Sequence, residues 1–90
     1  MRFAQMVALI DERLQHEERL QDYPIAADPH VGRWSCGKEA AELEPSTATG
    51  VLVRLHSDGR VLHQRVFACS EMTVGRIARS ISEHLTGYVR

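Results

Sequence analysis

Ninety residues, 43% hydrophobic and 26% charged with a net charge of −1 at pH 7, make one folded domain and leave too little chain for a second core. Such a composition argues against disorder, and Asp11, Glu12 and Arg13 interrupt the N-terminal apolar segment before it reaches membrane-spanning length. The neutral total hides an asymmetry. Residues 1–45 carry five basic against nine acidic side chains, and residues 46–90 carry six arginines against Asp58, Glu71 and Glu83.

The first element expected is a helix. Phe3, Val7, Ile10 and Leu14 recur at helical spacing with Met6 beside them, and Pro24 bars the helix from running much past Gln21. On such a helix Asp11, Glu18 and Asp22, spaced seven and four apart, line one side next to the apolar stripe. As a functional feature this acidic stripe docks on a basic partner surface. As a structural one it is a solvated face, the commoner meaning of such a run.

Residues 22–49 are punctuated by Pro24, Pro29, Gly32, Gly37 and Pro45, which predicts an irregular connector holding one short element. That element is either a strand over 30–36 or a helix over 38–44 capped by Ser35. Trp34, the only tryptophan, anchors the segment to the core, and Glu39, Glu42 and Glu44 form a second acidic group.

A β-hairpin follows, because Asp58-Gly59 separates two β-prone runs, 51–57 and 60–68. A two-residue turn pairs Leu55 with Leu62, Val53 with Gln64 and Val51 with Val66. Val51, Val53, Leu55, Leu62, Val66 and Ala68 then face the core, and Leu52, Arg54, His56, Val61, His63, Arg65 and Phe67 face outward. The last helix opens at Ser70 or Thr73, repeats Val74, Ile77, Ala78, Ile81 and Leu85 on one face, and stops at Gly87.

The expected architecture is a single α+β domain over residues 1–90: N-terminal helix, connector, hairpin, C-terminal helix. A two-stranded hairpin is marginal alone, so a third strand comes from residues 30–36 or from another chain. With that strand the order αβββα resembles the double-stranded-RNA-binding domain in topology alone. That family presents a lysine-rich cluster at the start of its last helix, where this chain offers only Arg76 and Arg79.

Five histidines and two cysteines show no Cys-x-x-Cys motif and no His pair at helical spacing, so no metal site is expected. His56-Ser57-Asp58 resembles a catalytic triad in composition only, since neighbours on a strand point to opposite faces. Cys36 and Cys69 read as reduced thiols, with Cys69 a small side chain closing the core. No glycine-rich phosphate loop is present, and no catalytic residue or cofactor is expected.

The outward cations Arg54, His56, Arg60, His63 and Arg65 form the alternative site, an anion or nucleic-acid face with Phe67 at one end. Its plain counterpart is a solvated face paired to the connector glutamates. The function expected is therefore a small non-enzymatic binding protein acting on a protein partner or on itself. A regulator or inhibitor of a larger nucleic-acid-handling complex, of the kind phages and mobile elements encode, fits that description. Nucleic-acid binding through the hairpin is the alternative. Without a leader segment or a membrane span, the expected location is the cytoplasm.

Overall fold

In the computed structural model, which describes residues 1–47 and 49–87, helix α1 spans Phe3–Gln15 and buries Met6, Val7, Ile10 and Leu14 as one stripe. It stops six residues short of the expected limit. His16 closes it, and the Glu17 carboxylate accepts from the Arg19 amide to start a separate 3-10 turn, Glu18–Leu20, which buries Leu20.

Five antiparallel strands follow: β1 (Ala26–Asp28), β2 (Arg33–Cys36), β3 (Glu39–Pro45), β4 (Gly50–Ser57) and β5 (Arg60–Ala68). They lie in the order β1-β2-β3-β4-β5, so each strand pairs with its neighbour in sequence. Helix α2 (Glu71–Thr86) returns across the sheet and ends at Gly87, whose φ of 66° is the left-handed cap that glycine supplies without strain. Both helices cover the same face of the sheet. Met6, Ile10, Trp34, Val51, Ile77 and Ile81 are its largest fully buried apolar side chains. The α+β class and the flanking helices agree with the sequence reading.

The connector does not. It holds three strands where one short element was expected. β2 falls inside 30–36, but the expected helix over 38–44 is replaced by strand β3 (Glu39–Pro45), and Ser35 lies within β2. The strand beside β4 is β3, so the three-stranded order of the double-stranded-RNA-binding domain does not hold. Period-two alternation explains β3: Ala41 and Leu43 are buried, while Glu42 and Glu44 point to the opposite face. Ala41 stands directly across from Trp34, where its small side chain leaves room for the indole. Gly32 completes the junction with φ 66° and accepts from the Leu43 amide at 2.8 Å; a Cβ there would meet the Leu43 carbonyl at 3.2 Å.

The hairpin turns where expected. Asp58 (φ 54°) and Gly59 (φ 80°) have the positive φ pair of a type I′ turn, and Ser57 pairs with Arg60. Beyond His56 and Val61 a β-bulge shifts the register, so Leu55 pairs with His63, Val53 with Arg65 and Val51 with Phe67. Leu62 and Val66 are consequently 52% and 55% exposed, Ala68 is exposed as well, and Phe67 packs against the core. Two forces favour the shift. The strict register would set Arg54 opposite His63, whereas the bulge gives Arg54 the neutral Gln64, and Phe67 has more apolar surface to bury than Val66.

Candidate functional site

The bulge divides the predicted cationic face in two. On the side away from the helices, Arg54 pairs with Glu44, while Glu42 lies 2.5 Å from His56 Nε2 and 3.1 Å from Arg33. Cross-strand register accounts for this ladder, because Glu42 stands opposite both Arg33 and Arg54. Arg54 and His56 are thus matched internally by connector glutamates, and such partly exposed pairs contribute about 0–1 kcal/mol each.

The remaining cations, Arg60, His63 and Arg65, lie on β5. Arg60 follows the turn, and the bulge turns His63 and Arg65 toward the helix side, where they line clefts with Ser80 of α2. The Arg65 guanidinium lies 5.0 Å from the Phe67 ring centroid and Arg76 of α2 lies 5.8 Å from it. Phe67 is therefore engaged by two cations.

Strand β5 is the longest exposed strand of the fold. Residues 60–66 are all exposed, Val61 at 50%. It is the outermost strand, and among the described residues none lies beyond it. The helices pack over β2, β3 and β4, which leaves open space between α2 and β5. Two adjoining clefts of about 310 and 360 Å³ occupy it, floored by Val53 and Leu55. The Cys69 amide donates to the Thr49 carbonyl at 2.8 Å, and antiparallel alternation from that pair turns the main-chain groups of Gln64 and Val66 away from β4.

The acidic stripe is not one surface. Because α1 ends at Gln15, Asp11 is on the helix, Glu18 on the 3-10 turn and Asp22 beyond it. Glu18 and Asp22 are exposed. Asp11 does local work: its Oδ1 accepts from Trp34 Nε1 at 2.8 Å and its Oδ2 from Gln15 Nε2 at 2.8 Å. It sits at the rim of a cavity of about 250 Å³ lined by Leu14, Leu20, Tyr23 and Trp34.

One polar cluster was not visible in the sequence, since its members lie far apart along the chain. Ser57 Oγ donates to Glu39 Oε1 at 2.9 Å, and His84 Nε2 donates to the His56 carbonyl at 2.6 Å while lying 3.3 Å from Glu39 Oε2. A nucleophilic relay needs the imidazole between hydroxyl and carboxylate. Here the carboxylate is in the middle, an arrangement that ties α2 to β3 and β4. Cys36 and Cys69 are free thiols, and Cys69 Sγ donates to the Met1 carbonyl at 3.4 Å. No described helix is long and apolar enough to cross a membrane. Comparison with known proteins brings no match among family models, curated proteins or solved structures.

Proposed function

We propose that this chain is a small non-enzymatic binding protein whose docking element is the free edge of β5. One observation carries the proposal: a nine-residue edge strand exposed throughout residues 60–66, with Val61, Leu62 and Val66 each at least half exposed. Long edges invite pairing with another chain, and the β-bulge and basic side chains of β5 restrict such pairing to a matched partner. An edge kept open over this length suits recognition by strand addition, where main-chain hydrogen bonds supply affinity and alternate side chains supply specificity. A regulator or inhibitor of a larger assembly in the cytoplasm would act through such an edge.

Nucleic-acid binding is the second reading, and it draws on the same β5 cations. The internal pairing of Arg54 and His56 and the engagement of Phe67 by two arginines leave it fewer free groups than one continuous face would offer. A tagged chain used for capture from the native host lysate, with and without nuclease, separates the two. A protein retained after nuclease treatment and lost with Gln64→Pro supports the edge; capture abolished by nuclease supports nucleic acid.

A further inference from the structure

The chemistry of β5 narrows what can pair with it. We infer that the occupant of this edge is an acidic, extended segment of a protein partner, an inference that rests on the docking role proposed for β5.

Three features converge. From Gly59 to Ser70 the chain carries no acidic residue, while Arg60, His63 and Arg65 all lie on β5. Arg76 reaches the same end of the strand from α2. The glutamates that neutralise Arg54 and His56 sit two strands away on β3, and Glu83 of α2, which lines one cleft with His63, is already engaged by Arg79 and Arg19. A strand laid against β5 would hydrogen-bond to the outward main-chain groups of Gln64 and Val66. Its side chains on the helix side would lie beside His63 and Arg65, and those on the other side beside Val61 and Val66. Acidic residues at the first positions and apolar residues at the second match both faces, so the complementary pattern is an alternation of Glu or Asp with Val or Ile.

A second copy of this chain fits less well. Antiparallel self-pairing centred on Gln64 sets Arg65 opposite His63, centring on Arg65 sets that residue against itself, and centring on Val66 sets Arg65 opposite a Phe67 ring that two arginines of its own chain already engage. The opposite edge, β1, is only three residues long and carries one acid, Asp28. A phosphate backbone would meet the cations but would leave the outward carbonyls and Val61, Leu62 and Val66 without partners.

The test uses the full chain and two labelled nine-residue peptides, the length of β5, one alternating Glu and Val and one alternating Gln and Val. Fluorescence anisotropy at low salt should show the Glu peptide binding roughly fivefold tighter, the sum expected of the two arginine cross-strand pairs. Its advantage should vanish at about 0.5 M salt, where screening is short-ranged. Gln64→Pro should abolish binding of both peptides, because proline removes an edge donor and leaves the β4 pairing intact. The charge-reversing pair Arg60→Glu with Arg65→Glu should shift preference to a Lys-Val peptide. Equal binding of the Glu and Gln peptides, both lost in Gln64→Pro, would overturn the acidic partner and leave the docking edge standing. Binding of neither would overturn both. An oligonucleotide that binds where the peptides do not, or a stable dimer of the free chain blocked by Gln64→Pro, would also defeat the inference.

Discussion

Replacing Asp11 by Ser removes the only acceptor among the described residues for the indole of Trp34, a side chain 1% exposed at the junction of α1 and β2. A hydrogen bond to a charged group contributes about 1.5–3 kcal/mol, and a buried donor left alone keeps its desolvation cost. A domain of this size holds about 5–9 kcal/mol in total, so the loss is a large share. At about 4–8 °C per kcal/mol, the melting temperature should fall by roughly 6–24 °C. Glu18→Ser and Asp22→Ser, at exposed positions outside the helix, should each stay within about 0.5 kcal/mol of the parent. Urea unfolding followed by fluorescence reads the effect directly, since Trp34 is the only tryptophan. Asp11→Asn keeps an acceptor oxygen and should recover much of the loss. If Asp11→Ser unfolds at the parent's midpoint, the indole bond contributes nothing and the account of this junction is wrong.

Ile10→Ala and Ile77→Ala, both at fully buried sites, should each cost about 2–5 kcal/mol in denaturant melts. Leu62→Ser and Val66→Thr should cost no more than about 0.5 kcal/mol, because the bulge places both outside the core; a core-sized loss at either would restore the strict hairpin register. Ser82→Ala should leave stability unchanged or raise it by about 0.5 kcal/mol, since its fully buried hydroxyl has no hydrogen-bond partner among the described residues and alanine is the better helix former. A drop above about 1 kcal/mol would reveal a bond to that hydroxyl. Arg54→Ser should change stability by no more than about 1 kcal/mol, as its pair with Glu44 is half exposed.

Both long helices were legible because their apolar stripes run for several turns, and the Asp58-Gly59 turn because Asp-Gly suits the positive φ that a type I′ turn needs at both positions. Strand β3 was hidden by its composition. Glu39-Ala-Ala-Glu-Leu-Glu is built from strong helix formers, and only its pairing with β2 and β4, with Ala41 beneath Trp34, makes it a strand. A signal existed in the alternation of Ala41 and Leu43 with Glu42 and Glu44. The bulge had a weaker one: the like-charge conflict between Arg54 and His63 called for relief, but pattern alone does not say whether a carboxylate or a register shift supplies it. The Asp11–Trp34 bond and the Ser57–Glu39–His84 cluster join residues distant in sequence, which no local pattern encodes. Of the cations on β5, His63 and Arg65 were expected on the outward face, and the bulge turns them to the helix side.

The open edge of β5 is tested most directly by residue-resolved amide hydrogen exchange. In the free chain, Gln64 and Val66 should exchange close to the rate of an unstructured peptide, while Arg65 and Phe67, whose amides face β4, stay protected; adding the alternating Glu-Val peptide should then slow Gln64 and Val66 selectively. Strong protection of Gln64 and Val66 in the free chain, or none gained with the peptide, would contradict the claim that this strand is an edge kept open for a partner.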